Sequence, residues 1–539
     1  MAHPATVQIV SKASFLERKT RDFQALITGA AVGFEEVLER HTVKCWVLFS
    51  ILYFAWVNLI SSHKQLWFDE VVTYSVDHVP TWANAWSMLQ LGVDANPPLF
   101  HVVNRTLLAL FGDTDLVQRG SSIFGFWAMS LCVYVMVRRH HSAAAAWVAA
   151  LIPSCSGAAY FATEARPYGM VMGFVALGMI CWLNLADSTA RRSWWLSGLN
   201  LSLAGAISSH YYAVFTIAPF IGAELTRAVK RAKIDWAVLL AVIASYWPLV
   251  IFYTAGLMAA ANQYTGSTDK ASLLLPFQFW EYFMSPVMGS IATAVALAVA
   301  WGWLSGRQSS FTLQPNNVML VAAWFCILPL VVVLGARYVT HAFELRYAVT
   351  AVIGAAMLIG VGFDSLRRAV PGAAGLAILV LLLPVSADAV AGRNKPRWRH
   401  IEYGWVAATQ QYPDYPVVYG MPLEFVQAWF NAPTPELRRR ITCLVDVKEA
   451  STSMHSTTAD LGVINLKPAL PVPALGYQEF VSQRKPFYLI HQPAIYSWAS
   501  GKLVEDGAVL ELKGFFGGDE LYLVTWSPAE TAPLHQPKP

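Results

Sequence analysis

Charge is what this sequence has least of. Asp, Glu, Lys and Arg together make up 13% of its 539 residues, about half the share found in soluble globular domains. A disordered chain needs the opposite balance and is excluded. Basic and acidic residues nearly cancel, 38 against 34, for a formal net charge of +4, so no nucleic-acid partner is expected. Cysteine is equally sparse. Of six, Cys45, Cys132, Cys155, Cys181 and Cys326 fall in apolar runs and Cys443 stands apart in the polar C-terminal region, which excludes a disulfide framework. Residues 1–41 lack the short apolar core and small-residue cleavage site of a secretory signal, so the first span is expected to be an uncleaved anchor.

What fills the chain is apolar: 56% hydrophobic residues with 21 Trp, 21 Tyr and 28 Phe, and a mean hydropathy of +0.44. A bilayer core asks for about 20 apolar residues per helix. Windows of that kind fall near 43–61, 117–137, 143–162, 169–187, 194–209, 213–226, 236–256, 286–304, 317–335, 346–363 and 371–391. The reading is an α-helical polytopic membrane protein of about eleven spans. Basic residues collect in alternate short turns, at Arg138-Arg139, Arg191-Arg192, Arg227 to Lys233, Arg307 and Arg367-Arg368, which predicts a cytoplasmic N-terminus and an extracytoplasmic C-terminus. Residues 1–41 are then a cytoplasmic tail, 42–393 a transmembrane domain carrying an outer loop at 62–116, and 394–539 a small extracytoplasmic α/β domain. Its expected strands are Pro416–Gly420, Leu461–Leu466, Phe487–His491 and Glu520–Trp526, with a helix over Pro422–Phe430. In the outer loop, Trp82, Trp86 and Leu89 share a helical face, the pattern of a helix lying in the membrane interface.

Ionisable residues gather at the outer ends of these spans: Asp69-Glu70, Glu164 with Arg166, His210, and Glu344 with Arg346. Each alone has an ordinary reading as a snorkelling or surface-paired side chain, but their joint placement on one membrane face is the mark of a functional surface. A transporter would instead show charges at mid-depth and related halves.

Trp67-Phe68-Asp69-Glu70, Asn96-Pro97-Pro98-Leu99, Arg119 with Ser121-Ser122, Ala162-Thr163-Glu164-Ala165-Arg166-Pro167-Tyr168, Ser209-His210-Tyr211 and Arg346-Tyr347 resemble, in order and spacing, the GT-C membrane glycosyltransferases. The resemblance covers about residues 45–365 and is greatest to the bacterial family 39 enzymes, related to protein O-mannosyltransferases and lipid A aminoarabinose transferase. It implies a GT-C fold in the inner (plasma) membrane of a bacterium. It also implies inverting transfer of a hexose or pentose, mannose among them, from a polyprenyl-phosphate-linked sugar to a hydroxyl of a lipid, glycan or protein acceptor in the cell envelope. One departure stands out: Asn96 occupies the place where relatives carry histidine, and the nearest histidine is His101.

The chemistry of such a transfer fits these residue types. An acceptor alcohol needs a base; Asp69 is the candidate, where the family's catalytic Asp falls, with Glu70 orienting it. An Asp-Glu pair also caps helices, the ordinary alternative. A leaving phosphate gains charge as the sugar departs, so cations near it favour the transition state. Arg166 and Arg346 are the phosphate candidates, with His210 as a further donor; each arginine could instead pair with Glu164 or Glu344. Glu164, Tyr168, Tyr211, Tyr347 and His101 are candidate substrate contacts, the tyrosines equally at home in an aromatic belt. A phosphodiester donor presents little charge, so no cofactor or divalent metal is expected, and Asp113-Thr114-Asp115 is read as surface charge. The alternative reading is a non-catalytic carrier, flippase-like protein or transporter for the same lipid-linked sugar.

Overall fold

The structure is a computed structural model that describes residues 29–253, 272–304, 315–340, 343–390, 401–493 and 497–526. The expected inner-turn Arg307 lies outside them. In chain order the helices are α1 (residues 29–40), α2 (Thr42–Ser61), α3 (Phe68–Asp77), α4 (Trp82–Gln90), α5 (Pro98–Phe111), α6 (Asp115–Gln118), α7 (Gly120–Arg138), α8 (Ala143–Cys155) and α9 (Tyr168–Asp187). They continue as α10 (Arg192–Ser209), α11 (Ile217–Arg231), α12 (Trp236–Ala244), α13 (Trp247–Phe252), α14 (Leu275–Leu304), α15 (Asn317–Cys326), α16 (Leu328–Gly335), α17 (Ala351–Ala369) and α18 (Ala373–Val390). The chain divides into two compact units, one formed by residues 1–62, 119–249 and 271–396 and the other by 63–118, 250–270 and 397–539.

The first unit is a helical bundle. Among the described residues five helical stretches are long and apolar enough to cross a membrane, or six when α8 and the 3-10 turn Gly157–Thr163, bent by 72°, are taken as one span. This is a multi-pass membrane protein. Several of the expected eleven windows are broken rather than continuous: α8 stops at Ser156, whose hydroxyl accepts the Ala158 N–H, 236–256 is divided between α12 and α13, and 317–335 between α15 and α16. The window 194–209 ends where expected, with α10 stopping at His210 before a second 3-10 turn, Tyr211–Thr216. The bundle closes through small residues. A side chain on Gly169 would come within 2.4 Å of the Ser122 carbonyl, and one on Gly125 within 2.5 Å of the Gly169 carbonyl. Gly125, Gly169 and Gly173 therefore let α7 and α9 approach backbone to backbone, and α9 opens directly after the Glu164–Arg166 segment.

The second unit is built on a mixed six-stranded sheet in the order β3-β2-β1-β4-β6-β5. Strands β1 (Val417–Tyr419), β2 (Ile441–Val445), β3 (Ala474–Gly476) and β4 (Phe487–His491) are parallel, and the β5 (Ala508–Phe516) and β6 (Asp519–Trp526) hairpin adds on antiparallel. Strands β1, β2 and β4 are covered on both faces. Every residue of β2 is buried, with Thr442 satisfied by donating to the Pro473 carbonyl, so it shows no in-out alternation, the usual pattern of parallel strands. One face packs Tyr419, Cys443 and Tyr488 against Leu66, Val71, Val72 and Leu89 of the 63–118 segment; the other packs Val418, Leu444 and Leu489 against Tyr477 and Trp498. The expected strand Leu461–Leu466 is helical, within Thr458–Leu466. Ala459, Val463 and Leu466 are its buried apolar positions, a helical rather than a two-residue repeat. In α4, Ala85 and Leu89 are buried, whereas Trp82 and Trp86 remain 50% and 38% exposed.

Candidate functional site

Each unit places its own set of the singled-out residues. In the bundle, Glu164 ends the 3-10 turn that follows α8, and Arg166 sits two residues on; both are buried. The Arg166 carbonyl accepts the Ser122 hydroxyl, which ties this segment to the start of α7 beside the glycine contact. Arg119, also fully buried, donates to the Ser61 carbonyl at 2.8 Å and so joins α2 to the head of α7.

His210 stands between α10 and its following 3-10 turn, and its Nδ1 accepts the Tyr212 N–H at 3.1 Å. A ring that accepts at Nδ1 carries its proton on Nε2 in the neutral form, which makes Nε2 a donor. Around it lie Tyr168, at 5.2 Å between ring centroids, and Tyr347, at 5.4 Å. Tyr212 stacks on Tyr347 at 3.9 Å and donates to Thr340 Oγ1 at 2.9 Å. The half-buried Arg346 holds its guanidinium 5.9 Å from the Tyr168 ring centroid. The structure thus brings together Tyr168, His210, Arg346 and Tyr347 from three separate stretches of chain. Tyr211 is half-buried in the same turn, and its neighbour Tyr212, with Thr340 from the π-helical turn Ala336–Thr340, joins the cluster although the sequence reading did not select them. Their only signal in the sequence is adjacency to Tyr211 and position at the end of an apolar run.

In the second unit, α3 starts at Phe68 with Asp69 and Glu70 in its first turn. Negative side chains there meet the positive end of the helix dipole. Glu70 reaches back to accept the Trp67 N–H at 3.3 Å and lies 3.6 Å from the Lys64 ammonium, with both side chains buried. Glu70 is therefore a helix cap with a buried counter-ion. Asp69, one position earlier, is half-buried. Lys64 was not singled out by the sequence, where a lysine after the first span reads as an interfacial charge.

His101 is fully buried, with Nδ1 2.8 Å from Asp77 and Nε2 3.7 Å from Asp94. Asp77 also accepts from Asn104 and Gln118, and Asp94 from Thr73 and Asn96. Asn96 thus braces the carboxylate that faces His101. Asp113 lies 3.1 Å from His78 Nε2 and accepts the Tyr74 hydroxyl at 3.3 Å, so it is bound to α3.

An arginine beside tyrosine rings and an imidazole donor forms a surface suited to a phosphate joined to a sugar: the guanidinium matches phosphate oxygens, and ring faces pack on a saccharide's C–H groups. No protein-family profile matches this chain, and no curated protein sequence matches it. Among solved structures, ArnT from Cupriavidus metallidurans bound to undecaprenyl phosphate is similar to it at a TM-score of 0.48 and 12% identity, over 88% of this chain and 97% of that one. The apo state of ArnT from the same organism is similar at 0.40 and 12%, over 90% and 98%.

Proposed function

We propose that this protein is a GT-C glycosyltransferase that moves a sugar from a polyprenyl-phosphate carrier to an acceptor hydroxyl on the extracytoplasmic side of a bacterial inner membrane. The observation that carries the reading is the convergence of Arg346, His210, Tyr168 and Tyr347. These residues belong to three of the motifs that carry the GT-C resemblance, and they are distant in sequence. In the reaction, the acceptor oxygen forms a bond to the anomeric carbon while the bond from that carbon to the phosphate oxygen breaks. The acceptor proton passes to the Asp69 carboxylate, and polyprenyl phosphate departs with the electron pair. Arg346 and Arg166 bind the phosphate as its charge grows, and His210 Nε2–H donates to an oxygen of phosphate or sugar. Glu164, Tyr168, Tyr211 and Tyr347 are assigned to the sugar. Glu70 acts through α3, as the cap that fixes Asp69, and His101 through the buried Asp77 and Asp94.

Purified full-length protein, given radiolabelled polyprenyl-phosphate sugars and an extract of envelope lipids and glycans, is expected to release polyprenyl phosphate and label one acceptor class. A lipid carrier would bind the donor equally well before and after Asp69→Asn and release nothing. Donor binding without any acceptor-dependent release by the wild-type protein would overturn the enzymatic reading.

A further inference from the structure

The end of the bundle away from His210 and Arg346 carries a second polar site. Counting from Ser122, Arg138 stands 16 residues along α7, about 24 Å away at 1.5 Å per residue. There a cavity of about 610 Å³ opens between α1, the C-terminus of α7, the N-terminus of α8 and the C-terminus of α17, and it is lined by Arg138, Arg139, Arg367 and Arg368 together with carboxylates. Three of its four carboxylates are committed to the fold, and the fourth, Glu36, pairs with Arg40 one turn along α1. Glu39 accepts the Ala143 N–H and pairs with Arg138; Glu35 accepts the Gly375 N–H and pairs with Arg367; Asp364 accepts the Ser142 N–H and pairs with Arg368 at 2.7 Å. The guanidiniums are not saturated in the same way. Each offers five N–H donors, and Arg367 Nε, buried 3.8 Å from Asp364, makes no hydrogen bond. Arg138, Arg367 and Arg368 keep 43%, 35% and 47% of their side chains exposed.

A separate apolar groove of about 570 Å³ runs along α2 and α7 from Thr42 and Val43 to Phe54, walled by Trp46, Trp127 and Leu131. Thr42 follows Glu39 by three residues and donates its hydroxyl to the Leu38 carbonyl. Trp127, Leu131 and Arg138 are spaced by four and seven residues, which puts them on one face of α7. Groove and cavity therefore share one wall, α7, and Glu39 at the cavity is followed three residues later by Thr42 at the head of the groove. The groove spans about 18 Å along α2, slightly more than one leaflet of a hydrocarbon core about 30 Å thick.

From this pairing we infer a binding site for an anionic glycerophospholipid, its phosphate among Arg138, Arg367 and Arg368 and one acyl chain along Trp46, Trp127 and Leu131. A basic pocket between membrane helices at the headgroup level is a recognised way of holding such lipids; here four carboxylates offset the charge of four arginines, and the guanidinium N–H groups left over favour an anionic headgroup over one whose phosphate is accompanied by an ammonium. The lipid stabilises the bundle by filling the gap between α2 and α7.

The test is native mass spectrometry and thermal melting of the full chain in mild detergent, with dioleoyl phosphatidylglycerol or dioleoyl phosphatidylcholine added at equal concentration. Phosphatidylglycerol should be retained at least tenfold better and should raise the melting temperature. The double variant Arg367→Gln/Arg368→Gln should abolish that preference, and Leu131→Trp, which fills the groove and leaves every arginine in place, should lower retention of both lipids. Arg439→Gln, an exposed cap residue paired with Glu436, controls for loss of charge alone and should change nothing. Should the double variant not fold, Arg368→Gln and Leu131→Trp carry the test. Equal retention of the two lipids by wild type overturns the site, as does retention unaffected by Leu131→Trp. A full melting shift from inorganic phosphate alone would mean an ion site and overturns the lipid assignment.

Discussion

Tyr212 lies on Tyr347 with ring centroids 3.9 Å apart and planes inclined by 22°, so a residue of the turn after α10 buttresses one from the segment that carries Arg346. Stacked aromatic pairs contribute about 0.5–1.5 kcal/mol beyond burial. Tyr347→Phe keeps the stack and should retain transfer within about threefold. Tyr347→Ala removes it and should raise KM for the lipid-linked donor by about 3- to 10-fold, the same free energy expressed as affinity. Initial-rate kinetics at varied donor concentration distinguish these outcomes; equal KM values for both variants would remove Tyr347 from the donor site.

The two nitrogens of His210 can be tested separately. Asn places an amide oxygen near the position of Nδ1, so His210→Asn keeps an acceptor for the Tyr212 N–H and removes the donor at Nε2. Turnover is expected to fall at least tenfold, within the range of a lost charge-assisted hydrogen bond, with the melting temperature unchanged. A variant that melts lower and keeps its activity per folded molecule would reduce His210 to a turn residue.

Asp69 and Glu70 are neighbours with opposite expectations. Asp69→Asn removes a carboxylate from the first turn of α3 and should lower turnover by at least about two orders of magnitude, with little change in melting. Glu70→Gln leaves the buried Lys64 ammonium facing an uncharged amide. Breaking a buried pair costs about 3–5 kcal/mol, so this variant should express poorly or melt much lower. Lys64→Met combined with Glu70→Gln should recover part of that loss, because no buried charge is then left alone. A Glu70→Gln protein that melts like wild type would refute the structural role.

How much of this was legible beforehand follows from the kind of signal each residue carries. The Pro422–Phe430 helix and strands β1, β4 and β6 were expected because short apolar runs there are set off by turn residues. Strand β2 was missed because burial on both faces erases alternation. Leu461–Leu466 was misread because a short apolar run fits either period, and tertiary contacts decided for the helix. Cys443 looked exposed in a polar stretch, yet it is fully buried in β2, so a membrane-impermeant thiol reagent should not reach it in the folded protein. Residue types marked His210, Tyr168, Arg346 and Tyr347 as candidates; no local pattern could show that their rings and guanidinium meet, since that depends on breaks in the helices at Ser156 and His210. Tyr212 carried no signal apart from its neighbour.

Arg166 and Arg346 separate a phosphate role from a structural one. Arg346→Lys retains the charge and loses the planar fork, so it should recover only part of the activity lost in Arg346→Ala, which is expected to fall by at least 100-fold. Arg166→Ala is expected to behave similarly, with a lower melting temperature in addition, since this side chain is buried beside the α7–α9 crossing. Turnover at saturating donor, normalised to folded protein, is the deciding quantity; unchanged turnover in both alanine variants would rule out the phosphate role.

The last prediction concerns pH and the second unit. Burial pushes the Asp460 carboxyl up to about 6, partly offset by the Asp446 N–H that it accepts at 2.9 Å, while the nearby Asp446 charge raises it further. In an unfolded chain the same carboxyl titrates near its ordinary value of 3.8. The folded form therefore holds the proton more tightly. Its contribution to stability is fully present below about pH 4 and is lost as pH rises through about 6, where burying the ionised group becomes a cost. Asn keeps the acceptor oxygen and cannot ionise. Asp460→Asn should thus leave the melting temperature near wild type at pH 4 and raise it by several degrees at pH 7.5, with a flatter profile between pH 4 and 6.5. Melting of the purified full chain, followed by tryptophan fluorescence across that range, is the measurement. A variant less stable than wild type at pH 7.5 would show that Asp460 works as a charged acceptor for the Asp446 N–H and that burial does not govern its ionisation.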